Sequence, residues 1–144
     1  MNIRIVSAPL QASIELSHKP PAFRTKSTMT TLNTLAIVLR RLHVPGKPLI
    51  LTNVYDAVSA RAIADLPATQ ALATASYALV LVAGVTDDDM TLETNLNAVR
   101  AVSRAAKEFG LPLTVDWQDG YGDRLEEGIE MLLQFGVVGI NLED

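Results

Sequence analysis

Carboxylates recur in this chain where apolar stretches give out. Asp56 follows "PLILTNVY", Asp87, Asp88 and Asp89 fill the loop "GVTDDDM", Asp116 ends "LPLTVD", and Glu143 and Asp144 end "VVGINLED". Carboxylates brought close together repel, and each then resists ionisation. A hard divalent cation relieves that conflict. Mg2+ takes oxygen ligands, keeps several waters and often bridges one or two carboxylates to an anionic substrate. The chemistry to expect is a Mg2+ site with Asp116 as a direct ligand and Glu143 acting directly or through water. This requires the four stretches to be neighbouring strands ending at one rim.

The pattern between the acids supports that requirement. "TLAIVLRRLHV" carries Leu35, Val38, Leu39 and Leu42 at helical spacing, and Pro45-Gly46 ends it. "PLILTNVYD" reads as a buried strand, "AVSARAIADL" as a helix and "ALATAS" as a second short strand. In "TLETNLNAVRAVSRAAKEFG", Leu92, Leu96, Val99 and Val102 form one stripe, with Gly110 at the place of a left-handed cap. "LPLTVD" is a third strand. "DRLEEGIEMLLQFG" is a helix with Leu125, Ile129, Leu132 and Leu133 facing inward, and "VVGINLED" is a fourth strand. Alternating strands and helices predict an α/β fold with a parallel sheet. Its strands are buried on both faces, which accounts for their continuous apolar runs. Two architectures fit: an open doubly wound sheet, or part of a (β/α)8 TIM-type barrel. A full barrel takes about 250 residues, so about four βα units make half of one. In both, ligands bind at the C-terminal ends of the strands.

Each acid also has a plainer reading. An Asp after a strand often caps a helix or forms a turn. Asp123 and Glu126 have capping-box spacing, Asp88 and Asp89 read as capping or solvating the next helix, and Asp119-Gly120 is a turn signal. Asp116 and Glu143 sit directly on strand ends and are the stronger site candidates. Gly120 and Gly122 permit unusual backbone angles or close approach of a ligand. Trp117 reads as packing or a pocket wall, and His18 and His43 as a tail residue and a helix-end residue.

Composition excludes several classes. The 144 residues suit one domain, and a 49% hydrophobic content is enough for a real core. With no cysteine there is no disulfide, zinc–thiolate site or cysteine nucleophile in this sequence. The longest apolar run, "YALVLVAGV", falls short of the ~18 residues that span a bilayer. Residues 1–48 hold seven Lys/Arg and one acid, whereas residues 49–144 hold five Lys/Arg and fifteen acids. The acidic body argues against nucleic acid as a partner. Residues 1–28 read as a basic, unstructured leader, with Met29 as an alternative start. The functional readings of that leader are an organellar targeting segment or an electrostatic tether. A cytoplasmic location is expected, with mitochondrial targeting as the alternative.

"LTNVYDAVSARAIA", "ALATASYALVLVAGVTDDDMTLETNL", "LPLTVDWQDGYGDRLEEGI" and "GVVGINLED" together resemble the phosphoenolpyruvate mutase / isocitrate lyase superfamily, in its phosphonomutase-like branch. The likeness runs over residues 47–144 in order and spacing. It implies a (β/α)8 barrel that makes or breaks C–C or P–C bonds beside a carboxylate, through Mg2+-stabilised enolates of 2-oxo acids. The mutase motif D-x-D-x-G-Y-G corresponds to "DWQDGYG", so the resemblance implies Asp116 as metal ligand. Gln118 stands where the second Asp would be, able to bind a metal-bound water but one negative charge short. Glu143 matches a further acid of the metal shell, and Asp87 matches the catalytic loop aspartate. "TAS" matches the pocket for the substrate carboxylate or phosphonate. The family serine falls at Ala75, so Ser76, one position on, is the candidate anchor. Tyr121 and Gly122 would donate backbone N–H groups to the bound acid. The family barrel continues beyond "NLED", so this chain is expected to be its N-terminal half, inactive in isolation, with a homo-oligomer expected of the full barrel. A non-catalytic scaffold is the competing expectation, favoured by Gln118. A receiver-type open sheet would want an acidic pair after its first strand, where only Asp56 stands.

Overall fold

The computed structural model describes residues 31–143. The leader 1–28, with His18 and Met29, and Asp144 lie outside the described residues. Helix α1 spans Leu32–Leu42, capped by Thr31, whose hydroxyl accepts the Thr34 N–H. Three βα steps and a fourth strand follow: β1 (Thr52–Val54), α2 (Ala57–Ala64), β2 (Leu72–Thr74), α3 (Ser76–Ala83), α4 (Leu92–Phe109), β3 (Leu113–Asp116), α5 (Leu125–Phe135) and β4 (Gly139–Asn141).

The four strands make one open, all-parallel sheet in the order β1-β2-β3-β4. Every strand therefore lies beside its predecessor. A doubly wound sheet reverses its direction of growth at a switch point. This sheet has no such reversal, and its progression is that of a barrel segment. Register aligns Thr74 with Val54 and Asp116 with Asn141, so the strands end at a common edge.

The core forms where the stripe of α4 meets the sheet. Leu92, Leu96, Val99 and Val102 cluster with Val54, Leu72, Leu113 and Val115, and with Ala60, Ala64 and Leu132 from α2 and α5. Along β3, Leu113 and Val115 are buried whereas Thr114 and Asp116 are only half-buried. Side chains alternate across a strand, so Asp116 lies on the face turned away from this core.

Several expectations are corrected. The apolar run "SYALVLVA" is a helix, α3, that no periodicity announced, because apolar residues cover its whole circumference. "PLILTNVYD" is not a buried strand: Ile50 is 86% exposed, and only Thr52–Val54 pairs, because β1 is an edge strand with one neighbour. β4 is the other edge, and Ile140 and Leu142 are exposed there. On α1, Val38 is exposed while Leu35 and Leu39 are buried. On α5, Leu133 is exposed, and Gly128 takes its place in the interior beside Leu132. A Cβ at Gly128 would meet the Trp117 ring at 2.5 Å, so only glycine lets α5 lie this close. No capping box forms at Asp123 and Glu126. A 3-10 turn, Gly122–Arg124, precedes α5, and Arg124 instead bonds Glu127 and Glu93, tying α5 to α4. Nor do Asp88 and Asp89 cap α4, since Thr91 does so through the Thr94 N–H. Among the described residues no helix is long and apolar enough to cross a membrane.

Candidate active site at the end of strand β3

The shared strand edge carries the chemistry-bearing residues, but the four strand ends are not equivalent. After β1, Asp56 is the N-cap of α2. Its carboxylate accepts the Ser59 N–H at 2.7 Å, and the Asp56 N–H donates in return to the Ser59 hydroxyl at 3.1 Å. The bond from the Ser59 N–H holds the Asp56 carboxyl below its usual range. Asp56 is thus a structural cap, which removes one of the four acids expected at the rim.

After β3 the arrangement differs. Asp116 Oδ2 accepts the Ser76 N–H at 2.8 Å, at the start of α3, and the Asp116 N–H donates to Thr74 Oγ1 at 3.1 Å. Asp116 Oδ1 is buried and without a hydrogen-bond partner. A carboxylate oxygen left bare in a buried position is costly unless something cationic or protic meets it. The expected anchor Ser76 therefore contributes its backbone N–H, and that donor is already engaged by Asp116.

Beyond Asp116 the chain makes a tight turn. Trp117 is fully buried, and its N–H continues the ladder to the Asn141 carbonyl at 2.8 Å. Gln118 and Tyr121 have φ of 46° and 63°, and they are the two non-glycine residues with positive φ among the described residues. Such angles are disfavoured for bulky residues and persist where neighbours hold them. The holding bonds are present. The Tyr121 N–H donates to Asp119 Oδ1 at 2.9 Å, and the Gly120 N–H to the Trp117 carbonyl at 3.0 Å. The Tyr121 ring stands edge-on to Trp117, with centroids 5.1 Å apart. Asp119 is accordingly a turn former. The Tyr121 N–H, expected to serve a bound acid, is committed to Asp119, while Gly122 is exposed at φ 59°.

Side chains on this turn reach the loop after α3. Gln118 Nε2 donates to Asp87 Oδ1 at 3.1 Å, and Gln118 Oε1 accepts the Tyr121 hydroxyl at 3.3 Å. Asn95 Nδ2, from α4, donates to the Tyr121 hydroxyl at 2.8 Å and to the Asp116 carbonyl at 3.1 Å. Burial pushes the Tyr121 phenol above its usual range, opposed by the Asn95 hydrogen bond. The Glu143 N–H donates to the Gln118 carbonyl at 2.7 Å. An open cavity of about 430 Å3 is lined by Asp87, Gln118, Asp119, Tyr121 and Glu143, with Asp88 and Met90. A second cavity of about 290 Å3, between α1, α5 and β4, has no titratable side chain in its lining and offers nothing for catalysis.

Asp87, Gln118, Tyr121 and Glu143 are thus brought to one cavity, and Asp116 and Ser76 are joined beneath the same strand edge. Among the described residues no group of three or more His, Asp or Glu is disposed to hold a metal ion. Oxygen donors at this strand edge include the bare Asp116 Oδ1, the Gln118 amide and Glu143, with Asp87, Asp88 and Asp119 also lining the cavity. Such a set suits a hydrated cation with few direct protein ligands, which is the habit of Mg2+. Asn95 was not singled out from the sequence, and Thr74, within the "TAS" match, was given no role of its own. Asn95 had a signal: it is an amide set within the apolar stripe of Leu92, Leu96 and Val99.

A parallel sheet with helices packed on one face and polar groups converging at the C-terminal strand ends defines an α/β enzyme scaffold of the barrel class. The family follows from comparison with known proteins. The family model for phosphoenolpyruvate phosphomutase matches residues 39–144, and the chain belongs to that family. It is similar to an oxaloacetate decarboxylase of Bradyrhizobium diazoefficiens, 33% identical over 94 residues, covering 64% of this chain and 32% of the relative. Among solved structures it resembles a candidate phosphonomutase from Burkholderia cenocepacia J2315, with 38% identity and a TM-score of 0.67 over 76% of this chain and 43% of that one. It also resembles 2,3-dimethylmalate lyase, a member of the PEP mutase/isocitrate lyase superfamily, with 26% identity and a TM-score of 0.66 over 81% of this chain and 38% of that one. The chain therefore spans about a third of the length of the curated relative. The four-stranded sheet corresponds to part of the barrel of these relatives.

Proposed function

We propose that the protein carrying this sequence is a Mg2+-dependent lyase or phosphonomutase-like enzyme. Its substrate would be a small 2-oxo acid or phosphonate, cleaved or rearranged at the C–C or P–C bond beside a carboxylate. The observation that carries this reading is Asp116: a half-buried carboxylate at a strand end, one oxygen on the Ser76 N–H and the other bare. Family membership, and relatives named for oxaloacetate and 2,3-dimethylmalate, support the substrate class. Asp116 would be the direct ligand, Glu143 a ligand directly or through water, and Gln118 a hydrogen-bond partner of a metal-bound water. A bound Mg2+ supplies positive charge where negative charge develops as the bond alpha to the carbonyl breaks. The chain's own groups then orient the acid. The Ser76 N–H would keep Asp116 in place, the exposed Gly122 would supply a backbone N–H to the acid, and Asp87, which lines the cavity, would handle the proton. A homo-oligomer is part of the same proposal.

Divalent-cation binding tests the reading without requiring turnover. Mn2+, as a spectroscopic stand-in for Mg2+, is titrated into the protein and into Asp116→Ala. Binding that weakens at least about tenfold on loss of this charge supports the site. Equal binding by the two proteins sinks it and favours a scaffold that keeps the fold without the chemistry. That second reading has its own observation, since both ends of the Gln118 amide are engaged, by Asp87 and by Tyr121.

A further inference from the structure

Asn95 is completely buried, on the face of α4 that otherwise presents Leu92, Leu96 and Val99 to the core. A buried amide that must leave water needs hydrogen bonds in return, and an apolar side chain of the same size would suit this stripe better. Asn95 makes two bonds, both through Nδ2, and its Oδ1 has no partner. Neither bond serves α4. One goes to the carbonyl of Asp116, the last residue of β3, and the other to the hydroxyl of Tyr121, five residues further on. They span the turn that holds both positive-φ residues, Gln118 and Tyr121.

We infer that Asn95 is a positioning residue: its buried amide clamps the two ends of the 116–121 turn and so sets where Gln118 meets Asp87. The geometry is directional. The Asp116 carbonyl can only accept, which fixes Nδ2 as the donor group. The Tyr121 hydroxyl, accepting from Asn95, is left to donate to Gln118 Oε1, and that orients the Gln118 amide with Nε2 toward Asp87 Oδ1. Asn95 thus acts on the cavity through Tyr121 and Gln118 without lining it. The inference rests on the β3 end being the site, but its test reads the turn itself, so a failed cation titration and a failed clamp are separate results.

The test is amide hydrogen exchange on the whole protein and on Asn95→Leu, Tyr121→Phe and the double variant. A clamp predicts exchange in 117–122 faster by about tenfold or more in each single variant, since each loses two hydrogen bonds of the turn, with Val99–Phe109 protected as in the parent. The double variant should accelerate exchange by less than the two single effects combined, because both substitutions remove the shared Asn95–Tyr121 bond. A merely structural Asn95 would instead accelerate exchange across α4 and the turn alike. If 117–122 accelerates no more than Val99–Phe109 in both single variants, the inference is overturned. Should Asn95→Leu fail to fold, Tyr121→Phe, which keeps the ring against Trp117, decides by the same criterion.

Discussion

Asp56 and Asp116 follow parallel strands two places apart in the same sheet, and the sequence puts a carboxylate at both strand ends. The structure separates them. Asp56 faces a serine three residues on, and its hydrogen-bonding capacity is spent within its own helix start. Asp116 is followed by a buried tryptophan rather than a helix, and the N–H that reaches it comes from Ser76, forty residues earlier in the chain. One carboxylate is satisfied locally. The other is held by tertiary contacts with an oxygen to spare. A strand-end acid becomes a site when its local backbone cannot satisfy it.

The widest separation should appear in cation affinity. Asp116→Asn is expected to weaken Mn2+ binding about tenfold or more, while Asp56→Asn leaves it unchanged; parallel calorimetric titrations check this, and equal losses would erase the distinction. Next in size is Gly128→Ala. Its Cβ presses on the Trp117 ring from 2.5 Å and on Leu92 from 3.1 Å. Overpacking of this kind costs about 1–3 kcal/mol, read from urea unfolding, and the emission of Trp117, the single tryptophan, should shift with it. An unchanged midpoint would mean that α5 is free to retreat. Asp56→Ala should cost about 1 kcal/mol, the worth of a helix cap, and unfolding curves that overlay the parent would deny it that role.

The smallest effect is in pH. The folded carboxyl of Asp56 titrates below its unfolded value. Its contribution is therefore present above the unfolded pKa of about 3.9 and is lost as pH falls through the folded value. Asp56→Asn should therefore fall furthest below the parent above about pH 5, and the gap between the two stability curves should shrink as pH falls through the folded pKa.

Much of this was legible in the residues. The α4 stripe and its Gly110 cap, the parallel strands and the junction at Asp116 follow from period and turn chemistry. α3 was not legible, because a helix that is apolar all round has no period to detect. The capping box at Asp123 failed because the GYG turn runs into a 3-10 turn first and delays the helix start to Leu125. Asn95 went unnoticed because an amide in an apolar stripe announces a buried partner without saying which one.

By itself the sequence determined the class of fold, the order of its elements apart from α3, and the family, because hydrophobic period and motif spacing are properties of neighbours along the chain. Only the tertiary structure separated Asp56, a helix cap, from Asp116, whose Oδ1 is left bare. It also decided that the Ser76 N–H, not its hydroxyl, meets Asp116, and that Gln118 is shared between Asp87 and Tyr121. Those are contacts between residues about 30 to 40 positions apart, or between groups that a turn with two positive φ angles re-aims, and no local pattern encodes them.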